Sequence, residues 1–167
     1  SAGTVISEAR VGGAINSPIQ FTATASESEI LLQKVSGDVQ TGIVGAALSQ
    51  QIVLRTVFDN GAIAPSTIVT FDASNGGLVN GATAAVLSSD SQGIVSVVWT
   101  LGPATGGYTL LATSPSETIS FTATALPDVP HSLQKISGNG QTLNPGTAFT
   151  TPFQVKMTDQ YGNEIAD

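Results

Sequence analysis

Hydrophobic and polar residues alternate along most of this chain, and that period of two predicts strands. Ile52, Leu54, Thr56 and Phe58 share one face of a β-branched run from Gln51 to Phe58, and Arg55 lies on the opposite face, expected to meet water. Thr67, Val69 and Phe71 alternate likewise, as do Val95, Val97, Trp99 and Leu101. Tyr108, Leu110 and Ala112 follow, and then Ile119, Phe121, Ala123 and Ala125. Near the start, Val5, Ser7 and Ala9 precede Ile19, Phe21, Ala23 and Ala25 in the same pattern. The period of an amphipathic helix is sustained nowhere. Turn chemistry punctuates the runs at Asp59-Asn60-Gly61, Ser74-Asn75-Gly76-Gly77, Asn80-Gly81, Ser89 to Gly93 and Gly102-Pro103.

Two stretches recur. Phe21-Thr22-Ala23-Thr24-Ala25 returns unchanged at Phe121 to Ala125, an offset of 100. Leu32 to Gly45 returns at Leu133 to Gly146, an offset of 101, with 8 of 14 residues identical. Under that offset Phe153, Val155 and Met157 match the apolar face of Gln51 to Phe58, and Lys156 matches Arg55. The extra residue falls in the connection from Leu126 to Ser132, whose Pro127, Asp128 and Pro130 are linker chemistry. A period near 100 fits a whole small domain and is too long for a solenoid unit. Residues 1–26 read as the last strands of a preceding unit, 27–126 as one complete unit, and 127–167 as the first strands of a following one. The two end pieces together fall about 33 residues short of a repeat. The segment therefore reads either as part of a longer tandem array or as a chain whose ends are completed by its neighbours.

About seven short strands per hundred residues describe an all-β, Greek-key sandwich. Tyr108 follows Thr105-Gly106-Gly107, where such a sandwich places a tyrosine corner; Val5 stands at that place in the first fragment. Trp99 continues the Val95, Val97 face and reads as core filler in preference to a ligand-facing indole.

Composition narrows function by exclusion. Charged residues are 10% and hydrophobic ones 41%, so a core can form. A net charge of −7 argues against nucleic acid and against an anionic membrane surface. The longest apolar run, Gly42 to Leu48, is far short of the roughly 18–20 residues of a membrane span. No signal peptide is present, so an export signal is expected to have been removed or to lie outside this chain. With no cysteine, disulfides, thiolate metal sites and cysteine nucleophiles are excluded. The balance is that of a soluble, acidic, non-enzymatic chain. A Ser–His–acid triad would have to use His131, the sole histidine, which lies in the Pro130–Ser132 joint and not on a sandwich edge beside an orienting carboxylate. Glu27, Glu29 and Asp128, in the two joints, are candidate ligands for Ca²⁺ between units, although no acidic cluster completes a set of six oxygens. A solvated acidic face is the plainer reading. Asp59, Asp90 and Asp159 sit in turns, where they are expected to cap backbone donors. Lys34 and Lys135 recur at equivalent positions, and an intramolecular Lys–Asn crosslink there would need a buried lysine beside Asn and a carboxylate. No Asn-x-Ser/Thr acceptor occurs, and the Asn-Gly pairs at Asn60, Asn75, Asn80 and Asn139 read as tight turns. No catalytic, cofactor or metal residue is assigned.

The order of these motifs resembles the bacterial immunoglobulin-like repeat of the invasin and intimin type. Val35-Ser36-Gly37 and Ile136-Ser137-Gly138 end the opening strand, and Gln40-Thr41 to Gly45 and Gln141-Thr142 to Gly146 follow. Asp159-Gln160-Tyr161-Gly162 is a turn that reads as shortened to Asp59-Asn60-Gly61 in the complete unit. Val69-Thr70-Phe71, Val98 to Gly102 and the closing Phe-Thr-Ala-Thr-Ala strand complete the series. The complete unit departs from the pattern at Ala62-Ile63-Ala64-Pro65, where Asn-Pro is usual. The resemblance implies tandem immunoglobulin-like sandwiches on a bacterial outer surface or in a secreted protein, acting as spacers that hold an adhesive tip away from the cell. Lectin-like tips use cysteines, so this piece resembles stalk. Its expected partners are neighbouring immunoglobulin-like units, with any receptor met through other domains. The alternative is a self-assembling extracellular filament whose incomplete ends are filled by adjacent subunits through strand sharing. A carbohydrate-binding sandwich ranks last, because most of the nine aromatic residues fall on inward positions.

Overall fold

Ten strands between Ile30 and Leu126 close two sheets over the alternating faces. In chain order the strands of the molecule are β1 (Gly3–Ala9), β2 (Ile19–Ala25), β3 (Ile30–Ser36), β4 (Gln40–Ile43), β5 (Ile52–Phe58), β6 (Ile68–Ala73), β7 (Leu78–Val79), β8 (Ala84–Ser88), β9 (Ile94–Val97), β10 (Trp99–Thr100), β11 (Gly106–Thr113), β12 (Thr118–Leu126), β13 (Ser132–Ser137) and β14 (Gln154–Thr158). The structure, a computed structural model, describes residues 3–13, 15–25 and 28–166. Ser26 and Glu27 of the first joint lie outside them, as does the side chain of Ala25. Among the described residues there is no helix. One sheet has the order β3-β5-β9 and the other β4-β12-β11-β6-β8, with a short β7–β10 ladder. The fold is all-β, an immunoglobulin-like sandwich.

The predicted inward faces fill the space between the sheets. Ile52, Leu54, Val69, Phe71, Val95, Val97, Trp99, Leu101, Tyr108, Leu110, Ala112 and Phe121 are all buried in one core cluster. Thr56, the polar member of the β5 face, is also buried, and its hydroxyl donates to Ala64 O at 2.6 Å. Tyr108 forms the expected corner, its hydroxyl donating to Ala104 O at 2.8 Å. Trp99 is wholly buried, but its indole N–H has no acceptor among the described residues. That orphan donor costs about 1–3 kcal/mol. Burying an indole of roughly 150–250 Å² at about 25 cal/mol per Å² outweighs it.

After β3 the chain changes sheets. Gly37 makes the bend at φ +88°, pressed so closely on the Gln51 carbonyl that any side chain would collide. β4 then joins the large sheet, parallel to β12, with Ala123 opposite Gln40 and Thr124 opposite Thr41. The Gln40 amide pins the crossing: it donates to Gly37 O at 2.7 Å and to Gln50 O at 3.0 Å, and its oxygen accepts from Gln50 N at 3.0 Å.

The end strands reproduce parts of this sandwich in register. β1 pairs β2 with Gly3 opposite Ala25 and Val5 opposite Ala23, as β11 pairs β12 with Gly106 opposite Ala125 and Tyr108 opposite Ala123. β13 pairs β14 as β3 pairs β5, down to the register shift, which lies between Lys135 and Ser137 in one and between Lys34 and Ser36 in the other. Gln141 repeats the Gln40 clamp on Gly138 O and on both backbone groups of Thr151. Residues 141–144 nonetheless form no strand, because none of the described strands plays the part of β12 beside them. Among the described residues no opposing sheet covers either end hairpin. Phe21 is 61% exposed where Phe121 is 0%, and Val155 is 66% exposed where Leu54 is 0%.

The register corrects one alignment. The turn after β14 is the same length as the turn after β5. Asp159 N donates to Asn163 O and Phe58 N to Ala62 O, while Gly162 N donates to Asp159 O and Gly61 N to Phe58 O. Phe58, not Asp59, therefore stands at the place of Asp159, and the complete unit's turn is not shortened. Matching the two Asp letters misplaced the turn by one residue.

These equivalences yield a paired expectation. Phe121→Ala should lower unfolding stability by about 3–5 kcal/mol, whereas Phe21→Ala should change it by less than about 0.5 kcal/mol. Urea unfolding followed by Trp99 fluorescence measures both.

Candidate functional site at the second joint

One sandwich and two flanking hairpins make up the described strands, and the second hairpin meets the sandwich at the connection that follows β12. The connection from Leu126 to β13 is held by the turn that follows β14. Asp159 is the centre of the arrangement, a buried carboxylate only 2% exposed. One oxygen accepts from the backbone N–H groups of Tyr161 at 2.9 Å and Asn163 at 2.8 Å, a turn-capping geometry. The other accepts from the Asn163 amide at 2.9 Å and from the backbone N–H of Asp128, in the joint, at 3.1 Å. Burial alone would push this carboxyl up. The hydrogen bonds from the Asn163 side chain and from the backbone of Asp128, Asn163 and Tyr161 outweigh it and hold the group below the ordinary aspartate value.

Asn163 carries the connection onto the central sandwich. Its amide donates to Pro103 O at 2.8 Å, and its oxygen accepts from Thr105 N at 3.2 Å. Tyr161 lays its phenol against Gly45, where a β-carbon would collide with it and where φ is +71°. Gln160 donates to the Asp128 carboxylate at 2.9 Å, and His131 N donates to Thr158 O at 2.8 Å. A single five-residue turn thus grips the joint backbone and two loops at the end of the sandwich. In the turn after β5 the corresponding residues are Phe58, Asn60 and Ala62: no carboxylate stands at the place of Asp159 and no amide at the place of Asn163, and the Asn60 amide oxygen caps Ala62 N within the turn.

The other residues singled out by the sequence separate cleanly. Asp90 caps as expected, accepting from Gln92 N and Ile94 N at 2.8 Å. At Asp59 the expectation fails: the cap is the neighbouring Asn60, whose oxygen accepts from Ala62 N at 2.9 Å, while Asp59 donates its backbone N–H to Glu29 O. Lys34 does not meet the requirement for a Lys–Asn crosslink, because it is half-exposed and ion-paired with Asp38, with its ammonium 5.1 Å from the Phe121 ring centre. Lys135, at the equivalent place, is exposed. His131 is exposed as well. Of the candidate Ca²⁺ ligands, Glu27 lies outside the described residues, Glu29 is exposed, and Asp128 is bonded to Gln160. Among the described residues no three of His, Asp or Glu come together as a metal cluster. Sequence reasoning missed Asn163 and Tyr161, and the only signal for them was the turn chemistry of Asp159 to Gly162.

No protein-family model matches the chain, and no curated protein does. Solved structures do. The Escherichia coli adhesin FdeC is similar over 97% of this chain and 52% of its own, at 17% identity and a TM-score of 0.50. The Yersinia pseudotuberculosis adhesin InvE is similar over 75% of this chain and 40% of its own, at 16% identity and a TM-score of 0.47. Domains 1–6 of the surface layer protein SbsC are similar over 99% of this chain and 21% of their own, at 14% identity and a TM-score of 0.47. This chain spans about half the length of the FdeC chain and less of the other two. The FdeC likeness shows the fold.

Two outcomes are expected at the joint. Asp159→Ala should speed amide exchange at Asp128, Tyr161 and Asn163 while leaving β5, β6 and β11 protected, as hydrogen-exchange spectroscopy would read residue by residue. The pH dependence follows from the lowered pKa. The carboxylate's contribution is complete above the 3.8 of an unperturbed aspartate and is lost as pH falls through the lower folded value. An NMR titration of the Asp159 carboxyl should therefore have its midpoint below 3.8, with protection of the Asp128 N–H lost in step.

Proposed function

We propose that this chain is a non-catalytic structural repeat of an extracellular bacterial adhesin or surface stalk, spacing an adhesive tip from the cell. Residues 27–126 are the complete immunoglobulin-like unit, 1–26 the closing strands of the unit before it, and 127–167 the opening strands of the unit after it. The observation that carries the reading is the joint at Asp159. A spacer transmits position only if successive units keep a fixed angle, and this turn ties the following strands to Gly45, Pro103 and Thr105 of the sandwich. The adhesin fold-likeness and the repeated strand registers support the same reading. Its partners are neighbouring units of the same kind at the bacterial surface, and any receptor is met by other domains.

A second reading, in which the incomplete ends are filled by adjacent subunits of a filament, is favoured by the apolar seams that β1–β2 and β13–β14 leave open. Phe21, Phe153 and Val155 are each more than 60% exposed.

The stalk reading is tested by spin labels at Ser120→Cys and Gln134→Cys, one on the central sandwich and one beyond the joint. A single narrow distance distribution is expected, broadening when Asp159→Ala is added. A broad distribution in the parent chain would overturn the stalk.

A further inference from the structure

We infer that the open seam of β13–β14 is a seat for strand β2 of a second copy of this chain, in the register by which β12 closes on β3 and β4 in the central sandwich. The inference rests on the strand-sharing reading and names its partner and alignment.

The chain supplies both halves of the contact, and the central sandwich shows them joined. Phe121 lies beneath the Lys34 ammonium, 5.1 Å away, and Thr122 N donates to Asp38 Oδ1 at 2.9 Å. From Ala123 to Leu126 the strand then runs parallel to β4, against the segment pinned by Gln40. Each receiving residue has a counterpart beyond the joint: Lys135 for Lys34, Asn139 for Asp38, Gln141 for Gln40, and Phe153 and Val155 for Ile52 and Leu54. These residues line a hollow of about 410 Å³. The Gln141 clamp is already formed there, so the seat is shaped before any strand arrives.

The donor strand is equally prepared. β2 carries the same five residues as Phe121 to Ala125, and it is held by β1 in the register of β11 with β12. Phe21 is 61% exposed, and the edge of β2 away from β1 is unpaired among the described strands. Docked in the repeated register, Phe21 fills the hollow under Lys135 and Thr22 N meets the Asn139 side-chain oxygen. Ala23, Thr24 and Ala25 then lie beside Gln141, Thr142 and Leu143. The exchange of Asp38 for Asn139 keeps the acceptor and removes the charge. Added main-chain bonds supply affinity in such strand addition, and the pocketed side chain supplies register.

The absence of cysteine allows a direct test. Thr24→Cys and Thr142→Cys, purified separately and mixed under mild oxidation, should give a disulfide-linked heterodimer. Glu8→Cys mixed with Thr142→Cys should not, because residue 8 lies one strand away and four residues from the position paired with Thr24. In sedimentation at rising concentration, the parent chain should reach at least twice the mass of a single chain. Phe21→Ser should stay single, with an unchanged melting temperature for the central sandwich. Association that survives Phe21→Ser, with no Thr24–Thr142 crosslink, overturns this register and leaves strand sharing standing. A chain that remains single at every concentration overturns both.

Discussion

A strand with every second residue apolar has one face that water rejects, and it is stable only if another sheet covers that face. Everything in this molecule follows from whether the cover is present. Where β3, β5 and β9 lie opposite β4, β12, β11, β6 and β8, Leu54, Phe71, Trp99 and Phe121 vanish from solvent. Where only a hairpin of the same register is present, the equivalent residues Phe21 and Val155 stand in water. Local pairing is therefore set by the strands themselves, through turn, bulge and the glutamine clamp. Burial depends on the neighbour.

The inward faces and the tyrosine corner were legible because they obey a period of two and a fixed place after a loop. Tyr108, Val95 and Phe121 needed no long-range information. The repeat offset was legible too, and it carried the hairpin registers with it. The role of Gln40 was not, although its motif was plain, because its partners Gly37 and Gln50 are brought together by a change of sheet. The turn after β5 was misread because Asp59 shares a letter with Asp159, whereas strand register aligns Phe58 there. Asn163 was invisible because it acts on Pro103 and Thr105, some 60 residues earlier. Lys34 was open in sequence between a crosslink and an ordinary lysine, and Asp38, four residues on, decides for an ion pair.

The two ends of the central sandwich are consequently not alike. At the far end a buried carboxylate holds the joint backbone while an amide and a phenol grip the loops of the sandwich. The turn at the near end has Phe58 and Ala62 at the places of Asp159 and Asn163, and its Asn60 amide oxygen is used within the turn itself. Hairpins that share a strand register can thus differ in the few residues that bind neighbouring loops, because strand faces and turn contacts are encoded by different positions. The core is written on alternating residues of every strand, while the joint is written on one turn and three contact points.

Asp159 is held by amide donors, and none of the described ion pairs includes it. Dissolved electrolyte weakens attraction between opposite charges, but it has little hold on a buried anion solvated by peptide dipoles. The contacts of this turn should accordingly be the same in dilute fresh water and in brine, so salinity would leave the seating of the second hairpin on the sandwich unaltered.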